Sequence, residues 1–161
     1  MPRPRYRISL AKEDFKFSAA HFTLFPDRDA ELLHGHNYRV RVDLSGSALD
    51  ELGLLCDIDA VKRRIRALCA GLDGRVLLPE SGPQLRIAAA EGGVEVLWRE
   101  RRYLFPEGDV RFLAMVNVSI ELLAESLWRD LASALAGGRI EELEVAVEET
   151  AGQRCTCAGR I

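Results

Sequence analysis

The feature that most constrains this chain is the spacing of its three histidines. His34 and His36 flank Gly35, and on a strand, where successive side chains alternate faces, they point the same way. His21 closes another extended run, Phe17-Ser18-Ala19-Ala20-His21. Adjacent strands lie about 4.8 Å apart, so antiparallel pairing of the two runs lets three imidazoles converge on one ion. Gly35 lets another group come close to the backbone between the two histidines. Three neutral nitrogen ligands with an open fourth position form the pattern of a catalytic zinc site rather than a structural one. His21, His34 and His36 are therefore the candidate metal ligands, and zinc is the candidate cofactor. The bland alternative is a chance His-x-His with His21 as a core histidine. It fits less well, because the histidines sit among aromatic and β-branched residues rather than in a polar tail.

The patterns on either side support this placement. Tyr6, Ile8 and Leu10 alternate with polar residues, and Phe15, Phe17, Ala19 and His21 alternate on the other parity, which predicts a bulge within residues 11–14. Tyr38, Val40, Val42 and Leu44 share the parity of His34 and His36. Both strands thus place histidines on their apolar face. Ile58, Val61, Ile65, Leu68 and Leu72 predict a helix opened by Asp57, with Lys62, Arg63, Arg64 and Arg66 on its solvated face and Gly71 at its end. The stretch from Gly74 to Val116 is strand-like, with a hairpin turning at Glu91-Gly92-Gly93. Arg99, Arg101, Arg102 and Arg111 follow; they read as exposed strand arginines, with phosphate binding as the alternative. Ile120, Leu123, Leu127, Leu131 and Ala134 mark a second helix stopped by Gly137-Gly138. Leu143, Val145 and Val147 begin a last strand whose apolar parity is continued by Glu149, a carboxylate that needs donors if it is buried.

Charge and length narrow the class. The net charge is -3 over 161 residues with both signs interspersed, so nucleic acid is not an expected partner. No apolar run approaches the ~20 residues of a membrane span, and none follows the basic start Met1-Pro2-Arg3-Pro4-Arg5 as a signal would require. The expectation is one cytoplasmic domain spanning 1–161. Cys56 and Cys69 read as buried thiols. Cys155-Thr156-Cys157 has no histidine left to complete a second metal site.

Several motifs in order resemble the 6-pyruvoyltetrahydropterin synthase family and its relative, 6-carboxytetrahydropterin synthase. Phe17-Ser18-Ala19-Ala20-His21 and His34-Gly35-His36-Asn37-Tyr38 resemble the family's zinc motifs. Gly53-Leu54-Leu55-Cys56-Asp57-Ile58 is similar to the opening of its first helix, and Leu72-Asp73 to its Leu-Asp-His. Ser119-Ile120-Glu121 and Leu127-Trp128 resemble its second helix, and Val145-Ala146-Val147-Glu148-Glu149-Thr150 its closing strand. The resemblance implies an α+β tunnelling fold: a four-stranded antiparallel sheet with two helices on one face, here with an inserted β-hairpin at about 79–106. It also implies a homohexamer built as a dimer of trimers, and a small-molecule pterin as partner. Glu149 would anchor the pterin, and Ser119 and Glu121 would be further substrate-binding residues.

Two proton-handling groups of the family are replaced. Ala30 stands where the queuosine-pathway enzyme has its cysteine base, and Gly74 where the relay histidine follows the Leu-Asp. Asp73 then has no imidazole to orient. Glu31-Leu32-Leu33-His34-Gly35-His36 resembles the Glu-x-x-His-Gly-His signature of a branch that cleaves the side chain of 7,8-dihydroneopterin by a retro-aldol reaction. Glu31 and Asp73 are the catalytic candidates under that resemblance. The expected function is a zinc-dependent pterin lyase. The alternatives are a non-catalytic protein that binds a pterin or purine-like ligand, and a true synthase using an unrecognised base.

Overall fold

A computed structural model describes residues 4–161; the first three residues of the basic N-terminal run lie outside it. The elements in chain order are β1 (Tyr6–Leu10), β2 (Lys16–His21), β3 (His34–Gly46), α1 (Ile58–Leu72), β4 (Arg75–Pro79), β5 (Leu85–Ala90), β6 (Gly93–Trp98), β7 (Arg101–Phe105), β8 (Val110–Leu113), α2 (Ile120–Leu135), β9 (Glu142–Thr150) and β10 (Gln153–Arg160). The described residues divide into two compact units. One takes the chain up to Phe17, Asn37–Gly71 and Ile120–Ile161; the other takes Ser18–His36 and Leu72–Ser119.

The first unit is built on antiparallel pairing. β1 pairs with β3 from Tyr6↔Gly46 to Leu10↔Val42, β3 pairs with β9, and β9 pairs with β10. Apolar residues of one parity fill one face. Tyr38, Val42, Leu44, Leu143, Val145 and Val147 are buried there, and Phe17 stacks on Tyr38 at 4.7 Å. α2 lies against β9 and β10, where the Trp128 Nε1–H donates to the Leu143 carbonyl at 2.9 Å. α1 buries Val61, Ile65 and Cys69. Its start is capped by Asp57, whose Oδ1 accepts from the amides of Asp59 and Ala60 at 2.9 and 3.0 Å. The basic run of α1 is not bare, because Arg64 pairs with Asp130 and Arg66 with Asp14. The helix runs through Gly71, and the left-handed residue after it is Gly74, at φ +68°.

The second unit departs from the expected four-stranded sheet. β4 pairs in parallel with β2 (Ala19↔Arg75, Ala20↔Val76), and β8 pairs in parallel with β4. Among the described residues the main sheet therefore has seven strands, in the order β10-β9-β3-β2-β4-β8, with β1 also paired to β3. The reason is visible in β4. Its run Val76-Leu77-Leu78 is continuously apolar, as a parallel strand covered on both faces must be, and Leu77 and Leu78 are fully buried. The expected hairpin is also larger. β5, β6 and β7 form a separate three-stranded antiparallel meander. Its inner face, Val94, Val96 and Trp98, packs with Phe22, Leu24, Ala30 and Leu78 in one apolar cluster. The carboxy-terminal strand β10, which carries Cys155 and Cys157, has too little apolar alternation to have been read as a strand.

The opposite face of the first unit's sheet is polar and centres on Asp43, a buried carboxylate. Arg41 donates to it from Nε at 2.8 Å, Arg7 lies at 3.4 Å, and Ser9 donates its hydroxyl. Burial pushes this carboxyl up, but the bonds from Arg41, Ser9 and Arg7 together outweigh it, so its pKa lies below the ordinary value. The stability it contributes is therefore complete above the unfolded value of about 3.9 and is lost as pH falls through the lower folded value. Asp43→Asn should cost roughly 2–3 kcal/mol at neutral pH, because two guanidinium groups lose a buried partner. Chemical denaturation at pH 7 and at pH 3 checks this: the gap between variant and wild type should shrink in acid.

Candidate metal centre

β2 and β3 deliver the three imidazoles as their alternation requires. His21 is 2% exposed on the parity of Phe15 and Phe17, and His34 and His36 are half-buried. One ligand nitrogen from each ring lies within 4.8 Å of the other two, and the ring centroids are 4.7 to 5.5 Å apart. Gly35 favours this closeness. A β-carbon on it would sit 3.3 Å from the carbonyl oxygen of Ala19, tighter than most side chains tolerate.

Backbone carbonyls set the orientation of two rings. The Nδ1 of His21 lies 3.1 Å from the Val118 carbonyl, and the Nδ1 of His34 lies 2.7 Å from the Leu32 carbonyl. A carbonyl can only accept, so Nδ1 carries the proton in each ring and Nε2 keeps its lone pair for a metal. Val118 is held in turn by Asn117, whose Oδ1 accepts from the amides of Val118 and Leu24 at 3.0 and 2.9 Å, while its Nδ2 donates to the Leu24 carbonyl. Sequence reasoning passed over Asn117 and Val118. The one signal was a lone amide side chain between two valines, which by itself says nothing about a histidine 97 positions away. The donor set fits a borderline divalent metal: three neutral nitrogens and no thiolate. Among the described residues no other group of His, Cys, Asp or Glu side chains has this form.

Glu31 joins the histidines. Its Oε2 lies 4.0 Å from the Nε2 of His34 and accepts from the Thr23 amide at 3.3 Å. Ala30, beside it, is 5% exposed and points into the apolar cluster. Asp73 is occupied elsewhere: its Oδ1 accepts from the Ser18 amide at 2.7 Å and so ties the end of α1 to β2. Glu149 is half-buried and has donors. Tyr38 Oη reaches its Oε1 at 3.1 Å and Gln153 Nε2 its Oε2 at 3.0 Å. Ser119 directly precedes α2, and Glu121 lies exposed in the first turn of that helix. Burial, and then the charge of Glu121, raise the Cys155 thiol above its usual pKa.

This sheet with its two helices and converging imidazoles defines the tunnelling-fold class. The chain belongs to the 6-pyruvoyl tetrahydropterin synthase family, whose sequence profile matches residues 9–160. A Methanocaldococcus jannaschii protein provisionally named 6-carboxy-5,6,7,8-tetrahydropterin synthase is 26% identical over 141 residues, covering 86% of each chain. A Pyrococcus abyssi protein with the same provisional name is 28% identical over 144 residues, covering 89% of this chain and 83% of that one. The crystal structure of 6-pyruvoyl tetrahydropterin synthase from Plasmodium vivax matches with a TM-score of 0.91 at 26% identity, covering 98% of this chain and 99% of that one. Variants of that Plasmodium protein, altered at a glutamate described as a catalytic residue, match with a TM-score of 0.91 at 25% identity.

The bracing of His21 through Val118 and Asn117 has a measurable consequence. Asn117→Ala should lower affinity for a divalent transition metal by about 10–100-fold, the usual effect of removing an outer support of a ligand. Competition titration against a chromophoric chelator reads this directly.

Proposed function

We propose that this chain is a zinc-dependent pterin lyase that cleaves the side chain of 7,8-dihydroneopterin, or of its phosphate. The observation that carries the reading is the placement of Glu31 beside His34, with apolar Ala30 at the position of the family's cysteine base. The Plasmodium relative whose catalytic residue is a glutamate supports the same assignment. His21, His34 and His36 would hold the zinc, which when bound would lower the pKa of the substrate's side-chain hydroxyls.

Glu31 removes the proton from the C2′ hydroxyl. The C1′–C2′ bonding pair then passes into the conjugated C=N of the pterin, and C1′ takes up a proton. The products of the unphosphorylated substrate are 6-hydroxymethyl-7,8-dihydropterin and glycolaldehyde, with no change of overall oxidation state. Glu149 anchors the ring. A carboxylate offers about four lone-pair positions. Tyr38 and Gln153 each hold one oxygen and so orient the carboxylate, whose two oxygens suit two parallel N–H donors of an amino-pyrimidinone. Ser119 and Glu121 remain as further pterin-binding residues. Asp73, already held by the Ser18 amide, serves the fold in this reading rather than a proton transfer.

A second reading, a true synthase with a base other than cysteine, is favoured by the names of the archaeal relatives. It requires triphosphate release from dihydroneopterin triphosphate. We also propose a homohexamer of two trimers. β10 and β8 end the main sheet as edge strands, and closure of subunits into a ring would cover them. Light scattering that gives a single-chain mass at micromolar concentration would overturn the hexamer.

The lyase reading is tested with zinc-loaded protein and 7,8-dihydroneopterin. Glu31→Gln should lower turnover by about 10²–10⁴-fold with zinc content unchanged. Glu149→Gln should instead weaken pterin binding by roughly 2–4 kcal/mol. If the wild type forms neither glycolaldehyde nor 6-hydroxymethyl-dihydropterin yet binds pterin, the protein is a binding homologue.

A further inference from the structure

The arginines after β6 differ in what they do. Arg102 is an ordinary exposed strand arginine paired across the meander with Glu95. Arg99 and Arg101 instead reach out of the meander to the loop that carries Glu31. The Nη1 of Arg99 lies 3.2 Å from Asp29 Oδ1, and the Nη1 of Arg101 donates to the Glu31 carbonyl at 2.7 Å. Between these two contacts, Ala30 is sunk among Val94, Val96 and Trp98 of the same meander, and Leu33 packs on that cluster. Three consecutive residues of the loop are thus gripped by one small sheet, through an ion pair, an apolar side chain and a backbone carbonyl.

Arg99 also adopts φ +51°, in the left-handed region that favours glycine, at the turn between β6 and β7. Its contacts account for an arginine there. Nε lies 3.4 Å from Gln84 Oε1, and the guanidinium lies 4.4 Å over the Trp98 ring. The loop's own backbone supplies little. Glu31 bonds its amide to the Thr23 carbonyl at 3.0 Å, and the segment from Phe22 to Leu33 contains no helix or strand. A general base on such a loop needs an outside support, because a displacement of about 1 Å can cost ~10²-fold in rate.

We propose that the β5–β7 meander is the platform that positions Glu31, with Arg101 as the principal positioning residue and Arg99 acting through Asp29. This rests on Glu31 being the base, but the platform can be tested without turnover. In Arg101→Ala, the Glu31 amide should exchange with solvent at least about 10-fold faster, with β9 amides unchanged as the control for intact folding. Arg101→Lys keeps one donor for the carbonyl and should restore most of the protection. In zinc-loaded enzyme, Arg101→Ala should lower kcat by about 10–100-fold with KM and zinc content near wild type. In a Glu31→Gln background it should add nothing, since it acts through that side chain. Unchanged exchange at Glu31 overturns the platform, and an additive loss in the double variant places the role of Arg101 elsewhere. If Glu31→Gln is fully active, the base assignment fails, and the exchange measurement still decides the platform.

Discussion

The close approach of β3 to the Ala19 carbonyl, eased because residue 35 has no side chain, is the constraint on which the candidate metal centre depends. The parity of each strand decides which face the imidazoles take, but parity does not decide how near the faces come. With a β-carbon at position 35 the Ala19 carbonyl would have to give way by a few tenths of an ångström, on the strand that carries His21. The two carbonyls that hold Nδ1 of His21 and His34 then aim the opposite nitrogen of each ring, the one that could ligate a metal. The site is mostly backbone geometry: one missing β-carbon, two carbonyls, and an asparagine that fixes the segment supplying one of them.

Around that centre the molecule handles its charges in two ways. On the polar face of the first unit, Asp43 is surrounded by donors, and its charge is a structural group. Glu31 and Glu149 are held by fewer cations. The Thr23 amide orients the first, and Tyr38 and Gln153 orient the second. Carboxylates of the first kind stabilise the fold, and those of the second kind can meet a ligand.

Much of this was legible in the sequence because strand alternation is a local property. The strands bearing His21, His34 and His36, the capped α1, the stripe of α2 and the odd-parity run ending at Glu149 follow from neighbours a few residues apart, whereas the expected bulge within residues 11–14 is a turn closed by the Phe15 amide on the Lys12 carbonyl. What was not legible depends on residues far apart in the chain. Val76-Leu77-Leu78 reads equally well as a strand of a hairpin or as a doubly covered parallel strand, and only its pairing with β2 and β8 decides. Arg99 and Arg101 look like solvated strand residues until the loop at 29–31 is brought against them. The bond from the Ser18 amide to Asp73 at the end of α1 joins residues 55 positions apart and has no local signal in the sequence.

The span between His21 and Val118 bears on when the site can exist. These residues are 97 positions apart, and the parallel pairing of β4 with β2 is likewise a distant contact that pays its loop-closure entropy before any reward. The pairing of β1 with β3 and the capped α1 need only the first 72 residues of the chain. The imidazole of His21 acquires its fixed tautomer only after residue 118 has arrived and docked. A chain that ended before Val118 would carry all three histidines and the Leu32 carbonyl that aims His34, yet it would lack the carbonyl that aims His21.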